Sequence, residues 1–439
     1  MVIIQVFIVK LDYMRFPEIF LHFIWQFRLF QVLNLFCTTG ERLCIKGVGM
    51  ANKHAGPDFN QAKLCIGDRT WIGDVEIHLK SSDWLLHGHQ DDPAYDAVIL
   101  HVVYEHDQVI YRKDGSLIPV LILKDLFPES LLQHYEGLVH SIHSFPCEKQ
   151  IHRIDPIVIN GFLSRMMIER LAQKSDLVFD HLAKVKGDWE GTFYHFLAKS
   201  FGFKVNEIPF ELLATSLPLS VIRKHLDHPS QVEALVFGQA GFLVGTFIDA
   251  YPRKLKKEYQ FLQKKYGLTP IGVGAWRFLR MRPQNFPTLR LAQFCALLLK
   301  SDRLFSRVLE LEELPELKQL LQELPVNPYW KTHYHFQKET KKVEIQLGQR
   351  SILHLIMNAV CLFAAAYGKY SDQPDLMNRG LQLLEQMPAE SNVIISHYQQ
   401  AGVVIENAFF SQAVLQLNKY YCAQKKCLNC GIGIKILNQ

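Results

Sequence analysis

Asp74-Val75-Glu76-Ile77-His78-Leu79-Lys80 alternates polar and apolar residues without a break. A β-strand puts i, i+2 and i+4 on one face. The stretch therefore predicts a strand with Asp74, Glu76, His78 and Lys80 on one side and Val75, Ile77 and Leu79 in a core. Upstream, Gly56-Pro57-Asp58-Phe59 is a tight turn that delivers an acid at the mouth of the next strand. If residues 60–66 and 71–80 pair through Gly67-Asp68, Asp58 and Glu76 share one end of a sheet. Further β-rich runs at 42–46, 97–104, 108–112 and 117–123 are separated by turn residues such as His106-Asp107 and Lys113-Asp114-Gly115. Such short connections predict a mixed or antiparallel sheet. Helical spacing of Ile19, Phe20, Phe23, Ile24, Phe27 and Phe30 places a helix over 18–30, in front of that sheet.

From about residue 155 strand signals nearly vanish. Helical patterns run over 158–173, 189–201, 229–247, 287–300, 351–367 and 407–422, punctuated by Pro209, Pro218, Pro252, Pro270, Pro283, Pro325 and Pro328. The expected fold class is α+β: a mixed sheet with flanking helices over 14–150, then an all-helical domain over 151–439. Composition agrees. The 439 residues are 49% apolar and 21% charged, which excludes a disordered chain and predicts buried cores. Nine cysteines are too few for a disulfide-built secreted domain, and a net charge of +5 demands no polyanion. Residues 1–9 are apolar but lack a basic region and a cleavage site, and are too short for the roughly 20 residues a bilayer needs. The helix pattern begins only after Pro17, so Met14 is the expected natural start. The apolar run 352–367 contains His354 and Asn358 and reads as a buried core helix. The expectation is a cytoplasmic protein with no membrane partner.

Two carboxylates with a neighbouring Lys and a flanking acid suit a metal-dependent phosphodiesterase. The carboxylates hold a hard cation, Mg²⁺ or Mn²⁺, which activates water and neutralises charge on phosphate, while Lys orients the nucleophile. The pattern resembles the PD-(D/E)XK nuclease fold, also called restriction-endonuclease-like. The resemblance implies Asp58 and Glu76 as the metal-holding acids and Glu18, on the first helix, as the third. It departs at one position: His78, not Lys, stands two residues after Glu76, and Lys80 follows on the same face. Either His78 takes the place of the usual Lys, or the fold is kept with altered chemistry. His87 and His89, in a polar loop after the strand, are candidates for metal or phosphate contact. The parity of His101 aims it at the Glu76 face.

The strings His54-Ala55-Gly56-Pro57-Asp58-Phe59, Gly73 to Trp84, Asp92-Pro93-Ala94-Tyr95-Asp96, Ile99 to Val103, Phe278-Leu279-Arg280-Met281-Arg282-Pro283, Asn285-Phe286-Pro287-Thr288 and the cysteine tail also resemble an uncharacterised bacterial family, domain-of-unknown-function family 2851, over nearly the whole chain from about Met14. That resemblance implies no activity.

Cys422-x4-Cys427-x2-Cys430 closes the chain in a basic, glycine-containing segment. Three thiols so close can face one point, and a closed Zn²⁺ site or a 4Fe–4S cluster needs a fourth. Cys147, at the expected hinge, is the candidate. Some nucleases of the fold named above carry a 4Fe–4S cluster on one upstream and three C-terminal cysteines, and the layout here is similar. Cys37, Cys44, Cys65, Cys295 and Cys361 read as small core residues.

Between Tyr251 and Lys300 stand eleven Lys or Arg against one acid, Glu258, interleaved with Tyr259, Phe261, Trp276 and Phe278. Cations beside aromatics are the footprint of a nucleic-acid groove, and Arg277, Arg280, Arg282, Lys256 and Lys257 are the candidate contacts to DNA or RNA. The function expected is a metal-dependent nuclease or a nuclease-fold nucleic-acid-binding protein; the alternative is a non-catalytic scaffold. Walker-type loops, a Gly-x-Ser-x-Gly elbow and a His-Glu-x-x-His helix are absent, which removes ATPase, serine-hydrolase and zincin readings.

Overall fold

The computed structural model describes residues 16–439, so the start expected at Met14 lies outside the described residues. The protein is α+β. Contacts divide it into a first unit, residues 16–162 with 400–403 and 418–439, and a second, residues 163–399 with 404–417. The C-terminal tail, expected within the helical module, thus groups with the unit that carries the sheet.

In the first unit, helix α1 (Glu18–Phe27) starts after Pro17, which caps it in an extended conformation (φ −78°, ψ 159°) and disfavours helical backbone at Phe16 before it. It ends where Arg28 turns left-handed (φ 52°), three residues short of the expected limit. Phe20, Leu21, Phe23, Ile24 and Trp25 are its buried face. The sheet comprises β1 (Leu35–Phe36), β2 (Arg42–Gly47), β3 (Met50–Ala51), β4 (Phe59–Ile66), β5 (Arg69–Lys80), β6 (Val98–Glu105) and β7 (Val120–Ile122). Their order is β1-β2-β4-β5-β6-β7, with β3 beside β4. Pairing is antiparallel as far as β5 and parallel from β5 through β7. The strand expected at 108–112 does not form; one bridge, Tyr111 to Leu117, is all that pairs there.

The switch to parallel pairing positions the site. A parallel neighbour requires a crossover rather than a hairpin. Residues 81–97 make that crossover through the short helix α2 (Asp83–Leu86) and two 3₁₀ turns. Val75 and Ile77 are fully buried on one face of β5, and on the other Glu76, His78 and, from β6, His101 are also 5% exposed or less. The alternation therefore separates an apolar core from a buried polar layer, not from solvent.

The second unit is helical. Helices Trp189–Phe201 and Pro287–Lys300 keep their expected limits, while Pro229–Gln239 stops eight residues before the expected end, where Gly241 adopts φ 80°. Among the described residues, Gln349–Tyr370 is the one helix long and apolar enough to cross a membrane, and 72% of its most apolar window is buried inside the protein.

Glu233, on Pro229–Gln239, is buried with its carboxyl near the Asn327 amide (3.3 Å). Burial pushes its pKa from 4.5 to about 7, offset in part by Tyr251 and Asn327. Between those values the folded chain binds more protons than the unfolded one, so this group's stability contribution is full below the lower value and falls as pH rises through the upper. Glu233→Gln is expected to remove that loss. Its urea midpoint should exceed wild type at about pH 7.5 and match it near pH 4.5, and equal offsets at both pH values would refute the assignment.

Candidate metal centre

Two local devices set the carboxylates. β4 bulges between Phe59 and Ala62, where Gln61 has φ 58° and its N–H donates to Asp74 Oδ1 at 3.0 Å. A bulge bends its strand and re-aims the residues beside it. Here it also draws Asp74 out of the expected polar row. The second device is a double clasp. The Asp58 N–H donates to Glu76 Oε2, and Asp58 Oδ2 accepts the Ile77 N–H, both at 3.0 Å. Gly73 permits this strand path, because a Cβ there would stand 2.5 Å from Ile99 Cγ2 and 2.7 Å from the Ala97 carbonyl.

Asp58 and Glu76 thus meet, and Glu18 joins them through His22, one helical turn along α1. His22 Nε2 lies 3.4 Å from Asp58 Oδ2 and 3.7 Å from Glu18 Oε1. His22 was not anticipated; its i, i+4 spacing from Glu18 was the signal that could have found it. Lys80 sits at the far end of β5, where its N–H donates to Asp83 Oδ2. The side chains around Glu76 are instead Asp58, His78 and His89.

The crossover closes a group of imidazoles over Glu76. His78 Nε2 is 3.1 Å from His87 Nδ1 and 3.5 Å from Glu76 Oε1, and His89 Nε2 is 3.3 Å from the same oxygen. One ligand atom from each of His78, His87 and His89 can be chosen so that all lie within 4.8 Å of one another. Behind them His78 Nδ1 meets His101 Nε2 at 2.8 Å. Tyr95 stacks on His89 at 3.8 Å and Trp84 packs edge-on at 5.4 Å.

Electrostatics follow from burial. Burial, then the Asp58 charge and then that of Glu18, holds the Glu76 carboxyl far above the usual carboxylate range. Burial raises Asp58 too, against the pull of His22. Burial and the neighbouring rings push His78 down to about 2 and His101 to about 3, so both imidazoles are neutral, the form that ligates metal. His22 Nε2 and His89 Nε2 are buried without a hydrogen-bond partner although each faces a carboxylate oxygen at 3.4 or 3.3 Å. Unsatisfied buried nitrogens are costly. A cation between nitrogen and oxygen would satisfy both, so the residues present fit a metal.

The cysteine tail returns to the first unit, packing against α1 and α3 (Glu129–Val139). Cys147, Cys427 and Cys430 are buried and Cys422 is half-buried. Burial and then Cys422, Cys430 and Cys427 hold the Cys147 thiol well above its ordinary value, so the four sulfurs are electrostatic neighbours. The Cys430 sulfur accepts backbone hydrogen bonds from Gly433 and Ile432, at the start of the last helix. Of the cysteines expected in cores, Cys44 is instead exposed and Cys65 half-buried, because β2 and β4 present that register pair away from the core.

The basic tract divides. Arg290 is buried, bonded to Gln293, Asn285 and Ser351 and stacked over Phe203 at 4.2 Å. Lys300 Nζ donates to the carbonyls of Gln319, Leu320 and Gln322, closing a helix end. Trp276 and Tyr259 are buried, so they are core residues rather than stacking platforms. Arg277, Arg280, Arg282 and Lys257 are exposed, Lys256 reaches the Gly245 carbonyl, and Phe261 is 63% exposed.

No curated protein and no solved structure matches the chain. A family model described as "Protein of unknown function (DUF2851)" matches residues 18–393, a span that contains α1, the whole sheet and the imidazole group but ends before the cysteine tail. The chain belongs to the DUF2851 family.

Proposed function

We propose that this protein is a metal-dependent phosphodiester hydrolase acting on DNA or RNA, with Asp58 and Glu76 as the metal-holding pair. The observation that carries the reading is the clasp of Asp58 onto β5 beside Glu76, with unpartnered imidazole nitrogens facing both carboxylates. A bound Mg²⁺ or Mn²⁺ supplies charge neutralisation at the phosphate and an acidified water. Asp58 is held rigid by the Ile77 N–H, which keeps its carboxylate aimed without a lysine. Glu18, the most exposed of the group with 36% of its side chain accessible, is placed to take a proton at Oε1. The nuclease-like pattern of a Pro-Asp turn before an acidic strand agrees with this assignment. The test is hydrolysis of single-stranded, duplex and branched substrates with Mn²⁺ or Mg²⁺, with Asp58→Asn as control. Cation-dependent cleavage lost in the variant supports the reading. Cation binding without cleavage of any substrate would assign the protein to the scaffold class.

The exposed cations of the second unit support a polynucleotide as substrate. Binding is expected to weaken steeply with salt, because each neutralised phosphate releases counterion. Replacing Arg277, Arg280 and Arg282 by Ala should lower the slope of log K against log salt by roughly 2–3. An unchanged slope would remove these residues from the interface.

The four cysteines support a second, non-catalytic metal group in the same unit as the sheet. Two distant chain segments converge there; burial raises the Cys430 thiol, and the Gly433 and Ile432 N–H donors oppose that rise. Zn–S bonds of about 2.3 Å require sulfurs about 3.8 Å apart. Metal content and the visible spectrum decide between Zn²⁺ and the wider iron–sulfur cluster.

A further inference from the structure

We propose that His78, His87 and His89, closed by Glu76 Oε1, form a second cation position that takes a borderline-soft divalent ion of the Zn²⁺, Co²⁺ or Fe²⁺ class. The inference rests on the proposed hydrolase site in one respect only, that Glu76 is shared.

Geometry is the first argument. A tetrahedral ion with bonds of about 2.0–2.1 Å has ligand–ligand edges of about 3.3 Å. Three contacts among His78 Nε2, His87 Nδ1, His89 Nε2 and Glu76 Oε1 measure 3.1, 3.5 and 3.3 Å. Donor chemistry is the second. Imidazole-rich sites select transition ions, whereas Mg²⁺ prefers oxygen and retained water. The third is the surrounding shell. A metal-bound histidine passes its other N–H to a fixed acceptor, and His78 Nδ1 faces His101 Nε2 at 2.8 Å. Tyr95 and Trp84, the latter only 1% exposed, fix the His89 ring from two sides. His87 is exposed and gives an entry path from solvent.

Glu76 then acts as a bridge. Oε1 faces the imidazoles, and Oε2 accepts from the Asp58 N–H on the carboxylate side. This accounts for the departure from the nuclease pattern: the position two after Glu76 holds a metal ligand rather than a lysine. Occupancy would also pin the crossover loop, which carries two of the three histidines, to β5.

The test is Co²⁺ titration of chelator-stripped full-length protein, read by the visible d–d absorption of four-coordinate Co²⁺. Co²⁺ on the cysteines is recognised separately by its thiolate charge-transfer band. One equivalent should bind without thiolate character, be displaced by stoichiometric Zn²⁺ and resist excess Mg²⁺. His89→Ala and His87→Ala should weaken it more than 100-fold, and His101→Ala by about 10–100-fold; Asp58→Asn should retain it. If His89→Ala fails to fold by circular dichroism, His87→Ala, at an exposed position, decides. Absence of the spectrum in wild type, undiminished binding in His87→Ala, or displacement by Mg²⁺ would overturn the proposal. Co²⁺ binding at this position without cleavage of any substrate would defeat the hydrolase reading and leave this one standing. Cleavage without the Co²⁺ position would do the reverse.

Discussion

Glu76→Gln is expected to abolish Mn²⁺-dependent cleavage, by ~10³-fold or more, equivalent to about 4 kcal/mol of transition-state stabilisation. It should remove the Co²⁺ position at the same time. The reason is the bridging geometry. Oε2 belongs to the Asp58 side and Oε1 to the imidazole side, so one substitution reaches both. The apo fold should survive. Burial and the Asp58 charge already hold this carboxyl towards its protonated form, and an amide of the same shape removes the charge conflict. The expected pattern is therefore lost activity with an apo thermal midpoint equal to wild type or higher. Assays of cleavage and apo melting on the same preparation check it. Retained cleavage would take Glu76 out of the mechanism, and a collapsed apo fold would make its role structural.

Removing the thiolate group should give the largest stability effect. Cys147→Ser and Cys427→Ser are expected to lose the same metal, and each to lower the midpoint of the sheet-bearing unit by ~10 °C or more, since metal binding to such sites is itself folding free energy. The equality is the informative part. Cys147 and Cys427 are 280 residues apart in sequence, so matching losses require one shared group. Cys44→Ser, at an exposed thiol on β2, should change neither metal content nor midpoint. Elemental analysis of protein purified without oxygen gives the metal, and a broad visible absorbance assigns iron–sulfur over Zn²⁺. Metal-free protein, or losses confined to one of the two variants, would make the tail cysteines incidental.

Much of this was legible without coordinates. Alternation over 74–80 gave β5 and the opposition of Val75 and Ile77 to Glu76 and His78, because strand period is a local property of the backbone. Pro17 marked the start of α1, and Gly-Pro-Asp marked the turn before β4. The α+β division followed from where period 2 gives way to helical spacing. Of the residues expected at the site, strand parity supplied Glu76 and His78, the Gly-Pro-Asp turn supplied Asp58, and the nuclease resemblance supplied Glu18; the structure places Asp58 against Glu76 and His22 between Asp58 and Glu18. Lys80 was placed with them by parity alone, but parity fixes a face and not a position along it.

Three-dimensional contact decided the rest. Whether the polar face of β5 meets water or another layer depends on the crossover, and a parallel neighbour at β6 brought 81–97 back over Glu76 and His78. That return set the two loop histidines against the buried layer, His89 on the Glu76 carboxylate and His87 on His78. The bulge at Gln61 excluded Asp74 from the site through a single backbone angle that no side-chain pattern encodes. Arg290 and Lys300 looked like surface cations because charge reads as solvent-facing; carbonyl and amide partners from distant segments bury or cap with them instead. Sequence by itself determined the elements, the acidic pair and the cysteine spacing, all of which depend on local period and residue chemistry. Which groups share one point in space was settled only by tertiary packing, because burial and pairing across dozens to hundreds of residues have no local signature.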